Sequence, residues 1–132
     1  MPTITLIVNG TPRRLDVSSE ESLLTTLRER CAIYSLKDGC SPQGQCGCCL
    51  ALIDGQAKTT CAIAAQKCDG KSVVTLEGLP PQERALLAHS FVAAAGLQCG
   101  FCTPGIALKA KHLLDRNPQP TRSEIATSLD GH

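Results

Sequence analysis

The chain has 132 residues, with 13 lysines and arginines against 12 aspartates and glutamates and a formal net charge of +1. That balance offers no basic footprint for nucleic acid, and no apolar run approaches the roughly 20 residues of a membrane span. Only Tyr34, Phe91 and Phe101 are aromatic, so the core must be aliphatic, and nine cysteines stand out against it.

In chain order, Thr3 to Val8 alternates polar and apolar, Asn9-Gly10 is a two-residue hairpin turn, and Arg13 to Val17 returns as a second strand. Ser18 with Glu21 reads as a capping box opening a helix with Leu23, Leu24 and Leu27 on one face. A cysteine loop from about Lys37 to Cys49 follows. Leu50 to Asp54, the Asp54-Gly55 turn and Ala57 to Ile63 form another hairpin, and Ser72 to Leu76 supplies a last short strand. The order hairpin, helix, loop, hairpin, strand is that of a β-grasp sheet wrapped around one helix.

The chain divides near Gly78, giving expected domains at 1–78 and 79–132. Pro80 and Pro81 open the second part. Gln82 to Ala95 reads as a helix with Leu86, Ser90, Ala93 and Leu97 at helical spacing. After Gly96 and the Cys99–Cys102 turn, Pro104 starts a helix to about Arg116, with Ile106, Ala110, Leu113 and Leu114 facing inward. Thr121 and Glu124 form a capping box for a third helix through Leu129. Three short helices make an unfinished bundle. The fold class expected is α+β: an N-terminal β-grasp domain of plant-type ferredoxin character, then a helical domain that looks truncated.

The cysteines carry the chemistry. Their count is odd, and MPTITLIVNG lacks the basic start and apolar centre of a signal peptide. A cytoplasmic, reducing location is expected, where metal or redox use is favoured over disulfides. Cys40, Cys46, Cys49 and Cys61 are separated by five, two and eleven residues. Plant-type two-iron ferredoxins use four, then two, then a distant fourth cysteine. Wrapping an inorganic core that tightly needs backbone shapes open mainly to glycine, and Gly39, Gly44 and Gly47 sit among these cysteines. Zinc would want two close pairs, whereas Cys40 and Cys61 each stand alone. Cys48 adjoins Cys49 and is an alternative ligand, although Cys49 keeps the two-residue interval from Cys46. Cys31 and Cys68 lack partners at ligand spacing and read as small packed residues. By itself Cys99-x-x-Cys102 is open between a dithiol redox pair, half a zinc site and half a cluster site.

Taken together, Leu27 to Cys40, GQCGCC at Gly44 to Cys49, the Asp54-Gly55 hairpin, TLEGL at Thr75 to Leu79 and QCGFCTPG at Gln98 to Gly105 carry a family resemblance. The chain resembles, over nearly its whole length, the small iron–sulfur subunit or N-terminal iron–sulfur domain of the molybdenum hydroxylases, the family of xanthine dehydrogenase, aldehyde oxidoreductase and aerobic carbon monoxide dehydrogenase. The resemblance implies a first 2Fe-2S cluster on Cys40, Cys46, Cys49 and Cys61. It implies a second with Cys99 and Cys102 as its first two ligands, and a place for Gln98 against the pterin. It further implies a molybdopterin-binding large subunit or domain as partner, and a flavin (FAD) subunit or domain as the usual acceptor of electrons. Two departures stand out: the first interval is one residue longer, and the Cys-x-Cys pair that completes the family's second cluster is absent, as in a fragment.

Nothing else competes for chemistry. His89, His112 and His132 are scattered, and no carboxylate pair or nucleotide-binding fingerprint is present. The chain reads as the electron-transfer component of an oxidoreductase, with no substrate-transforming site of its own and no nucleic-acid or membrane partner. The competing readings are a free-standing ferredoxin-like carrier and a zinc-stabilised interaction module.

Overall fold

The computed structural model describes residues 1–132, and its sheet begins where the alternation is cleanest. Strand β1 (Thr3–Val8) buries Ile4, Leu6 and Val8 and turns the residues between them outward. Asn9 and Gly10 both take left-handed backbone (φ 50° and 84°), as a two-residue hairpin turn requires, and β2 (Thr11–Asp16) returns antiparallel with Ile4 opposite Leu15. A second hairpin joins β3 (Leu50–Ile53) to β4 (Gln56–Thr59), and β5 (Ser72–Val74) lies between the two hairpins. The order is β2-β1-β5-β3-β4, with β5 parallel to β1 and antiparallel to β3.

All four residues of β3 are buried, because both faces of the sheet are covered there. Ala51 and Ile53 join the main core with Leu6, Val17, Leu23, Leu27, Leu36 and Val73. Leu50 and Leu52 face the opposite way and pack with Leu79 and Leu108. The first cluster is filled by the helix predicted from Leu23, Leu24 and Leu27. It is short: α1 (Leu23–Thr25) widens directly into a π-helical turn over Thr26–Arg30.

Its cap differs from the sequence expectation. Ser22, not Ser18, is the N-cap, its Oγ accepting from Thr25 N at 3.1 Å. Glu21 is drawn away from the capping role by stronger partners. Its carboxylate accepts from Arg30 Nε and NH2 at 2.7 and 2.8 Å and from the Thr26 hydroxyl at 2.8 Å. A two-pronged guanidinium–carboxylate pair outweighs a neutral cap bond.

The second hairpin is also shorter than expected. Its return strand stops at Thr59, because Thr60 turns the chain into a 3-10 helix over Thr60–Ala62 and clamps it to the other strand. Thr60 Oγ1 donates to Cys49 O at 2.7 Å and its N–H to the same oxygen at 3.3 Å. That clamp carries Cys61 back beside Cys49.

Helices α2 (Pro81–Ala93), α3 (Thr103–Arg116) and α4 (Arg122–Leu129) follow at the predicted places. Thr121 caps α4, its Oγ1 accepting from Glu124 N at 3.2 Å; the Glu124 carboxylate takes the Thr121 hydroxyl rather than its backbone N–H, so only the first half of the predicted capping box forms. The buried side of α3 is not the one predicted, and α2 lies on the surface. No residue of α2 is buried, and Leu86 is 67% exposed. On α3 the buried residues are Gly105, Ala107 and Leu108, whereas Leu114 is exposed. The reason is that Leu108 seats α3 on the sheet with Leu50 and Leu52, while the side carrying Ala110, Leu113 and Leu114 faces Ile125 and Leu129 of the short α4 and stays partly open. No helix is long and apolar enough to cross a membrane.

Candidate metal centre

The loop between the π-helical turn and β3 is closed at its neck by Lys37 N donating to Cys48 O at 3.0 Å. Within it the backbone turns inward on the sulfurs. Gln43 N donates to Cys40 Sγ at 3.1 Å and Cys48 N to Cys46 Sγ at 3.4 Å, and across the sheet end Cys61 N donates to Cys49 Sγ at 3.5 Å. The N–H groups of Gln45, Gln43 and Cys46 together bring the Cys40 thiol down to about 6, which favours the thiolate form a metal ligand needs. Cys61 is pushed up to about 11 by burial and by its hydrogen bond to Cys49.

Cys40 and Cys61, brought from opposite ends of the motif, are near enough to act on each other through charge, and Cys49 lies beside Cys61. A structural zinc ion gathers four donors around one centre. A 2Fe-2S cluster distributes four thiolates over two irons and takes hydrogen bonds at its sulfurs. Four cysteines, three of whose sulfurs take backbone N–H bonds, fit the second group.

Of the loop glycines, Gly44 and Gly47 have φ of 67° and 72°, which favours glycine. Gly39 matters for a different reason. A Cβ on it would lie 3.0 Å from Cys46 Sγ, 3.1 Å from Phe101 Cε1 and 3.2 Å from Cys48 Sγ, so its side of the loop has no room. The longer first interval is absorbed next to Cys40, where Ser41 takes left-handed backbone (φ 67°) and its N–H donates to Asp38 Oδ1 at 2.7 Å. Cys48 is buried, and its thiol is pushed up to about 11 by burial and by the neighbouring Cys46. It does not share in the pairing of Cys49 with Cys61. Cys31 and Cys68 lie in the main core, their thiols raised by burial.

The second pair sits on an exposed turn between α2 and α3, with Cys99 and Cys102 both open to solvent and Gln98 exposed just before them. No cysteine follows Cys102 in the sequence. This turn is pinned against the first loop by contacts that the sequence reading missed. Lys37 Nζ donates to Phe101 O at 3.2 Å and lies 5.2 Å from the centre of the Phe101 ring. Gly105, in the first turn of α3, lies so near the first loop that a Cβ on it would be 2.4 Å from Gly47 O. The only local signal for that approach was a glycine just after a helix-starting proline.

Residues 75–132 match the family described as "[2Fe-2S] binding domain". Over 131 residues the chain is 41% identical to the nicotinate dehydrogenase small FeS subunit of Eubacterium barkeri, covering 98% of this chain and 83% of that one. Among solved structures it is similar to quinoline 2-oxidoreductase from Pseudomonas putida 86, with a TM-score of 0.92 at 38% identity over 99% of this chain and 81% of that one. It is similar too to the aldehyde oxidoreductase from Desulfovibrio desulfuricans, with a TM-score of 0.87 at 41% identity, where it covers 97% of its own length but spans only 14% of that longer chain.

Proposed function

The chain belongs to the small iron–sulfur subunits of the molybdenum hydroxylases, an electron-transfer component of those oxidoreductases, and from that membership we propose how its cysteines are used. Cys40, Cys46, Cys49 and Cys61 hold one 2Fe-2S cluster. Cys99 and Cys102 hold one side of a second, whose remaining two ligands come from outside these residues. Such clusters supply one-electron redox chemistry at a potential set by charge, solvent and hydrogen bonds to sulfur. The observation that carries the reading is the set of backbone N–H groups, two from the loop and one from Cys61, donating to Cys40, Cys46 and Cys49.

The protein's own part is to hold and insulate. The loop amides stabilise the ligand thiolates, and the Thr60 clamp presents Cys61 to Cys49. Lys37, Phe101 and the Gly47–Gly105 approach fix the second cysteine turn beside the first loop. We take residues 1–78 as a β-grasp, ferredoxin-like unit and 79–132 as a helical unit, with Gln98 directed to the pterin of a molybdopterin-binding partner. A flavin-bearing partner receives electrons from the first loop's side. Nine unpaired thiols suit a reducing compartment, which supports a cytoplasmic location.

The test is iron, zinc and acid-labile sulfide per chain, for the wild type and for Cys46→Ser, purified without oxygen. Loss of about two irons and two sulfides in the variant is expected. Iron and sulfide unchanged in Cys46→Ser would overturn the ligand assignment. Zinc without sulfide in the wild type would replace the electron-transfer reading with that of a zinc-stabilised module.

A further inference from the structure

Lys37 touches both cysteine loops, and the ligand set alone gives no reason for its charge. Its base is rigid. Leu36 before it lies in the main core, and Lys37 N closes the first loop on Cys48 O at 3.0 Å. Its tip reaches the second turn: Nζ donates to Phe101 O at 3.2 Å and stands 5.2 Å from the centre of the Phe101 ring. That carbonyl belongs to the peptide group joining Phe101 to Cys102. The ring is fixed in turn by the first loop, since the point a Cβ would occupy on Gly39 lies 3.1 Å from Phe101 Cε1 and 3.0 Å from Cys46 Sγ. No carboxylate neutralises this half-buried ammonium. The ion pairs of the chain join Arg30 to Glu21 and Lys111 to Glu83 and Asp115. Asp38, next in sequence, turns instead to the Ser41 N–H at 2.7 Å.

A 2Fe-2S centre gains one negative charge on reduction, so an unpaired cation fixed beside it favours the reduced form, and more so where protein displaces solvent. We propose that Lys37 is a positioning residue of the second centre: its ammonium holds the Phe101–Cys102 peptide beside the first loop and raises the reduction potential of the centre on Cys99 and Cys102 relative to that on Cys40, Cys46, Cys49 and Cys61. The consequence concerns one electron shared between two centres. As one centre loses it the other gains it, and the Lys37 charge biases its resting place towards the turn that bears Gln98. The inference rests on Cys99 and Cys102 being ligands, as set out above.

The experiment is a redox titration followed by electron paramagnetic resonance on the assembled complex from its native host, with wild type, Lys37→Met, Lys37→Gln and Lys37→Arg. Each centre's signal is assigned by its loss in Cys46→Ser or in Cys102→Ser. Lys37→Met keeps an apolar stem against the Phe101 ring. It should retain iron and sulfide and shift the one-electron partition about tenfold from the second centre to the first, which is 59 mV for a one-electron couple. Lys37→Gln keeps a donor without the charge and should shift the same way, so it reads the charge even where methionine loosens the turn. Lys37→Arg keeps charge and donor and should match wild type. Potentials in Lys37→Met and Lys37→Gln equal to those of wild type would overturn the proposal. So would a glutamine variant that alone restores the potential, which would assign the effect to the bond, or an arginine variant no different from methionine. A second-centre signal that survives in Cys102→Ser would instead remove the ligand reading beneath it, so the two failures are distinguishable.

Discussion

Replacing Gly105 with alanine sets helix propensity against contact. Gly105 lies in the first turn of α3, where alanine is favoured over glycine by roughly 1 kcal/mol. A Cβ there would lie 2.4 Å from Gly47 O, 3.3 Å from Gly47 C and 3.4 Å from Cys48 Cα. All three are backbone atoms of the loop that carries Cys46 and Cys49, so none can rotate aside. To reach an ordinary carbon contact the helix must retreat by about 1 Å. That withdraws Leu108, which is 1% exposed, from Leu50, Leu52 and Leu79. Partial loss of a leucine's burial costs about 1 kcal/mol, and overpacking a fixed site costs roughly 1–3 kcal/mol more. Contact wins over propensity by about 2 kcal/mol. In a chain of this length that lowers the melting midpoint by about 6–8 °C. The assay is thermal melting of the iron-loaded protein at one scan rate, followed by visible absorbance and far-ultraviolet circular dichroism. An alanine variant melting at or above the wild type would refute the reasoning, since α3 would then not be seated on Gly47.

Two further variants test the first unit of the chain. Glu21 is held down to about 2, chiefly by its hydrogen bonds to Arg30, so its folded value lies below its unfolded one. The stability it contributes is complete above about pH 4.5 and is lost as pH falls toward 2. With the Arg30 side chain 38% exposed, solvent screens the pair and its contribution is modest. Glu21→Gln should melt below the wild type by the same margin at pH 7.5 and at pH 5.5, and a margin that closes over that range would contradict the assignment. Cys68→Ser should leave iron and sulfide per chain unchanged while lowering stability by about 1 kcal/mol. It puts a hydroxyl into the main core, where the thiol has only a 4.0 Å contact to Ala64 O. Iron loss would mark Cys68 as a ligand.

What the sequence disclosed was whatever depends on near neighbours. The alternation of β1, the Asn9-Gly10 and Asp54-Gly55 turns and the Thr121 cap of α4 are all settled within a few residues, and each stands as read. Where distant groups compete, local reading missed. The Ser18–Glu21 cap lost its carboxylate to Arg30, nine positions on, and the helix start moved to Ser22. The apolar residues of α3 were assigned to a bundle. Yet Gly105 and Leu108, the small and large residues on the other side of the helix, set its seat against β3. Helical periodicity reports that a face exists, but which partner covers it is a long-range matter.

The adjacency of the two cysteine loops belongs to the same class and bears most on function. The loops are far apart in sequence, and neither CxxC spacing nor glycine content alone says that they touch. They touch because Gly47 and Gly105 meet where neither has a side chain, and because Gly39 leaves space that Cys46, Cys48 and Phe101 share. Electron transfer between two centres weakens steeply with separation, so a fold that serves it has reason to remove atoms from the gap rather than add them. The methyl group at Gly105 is therefore expected to do more than destabilise: by lifting α3 it moves Cys99 and Cys102 away from the first loop, and with the cysteines used as proposed above, electron exchange between the two centres should slow even in the molecules that remain folded.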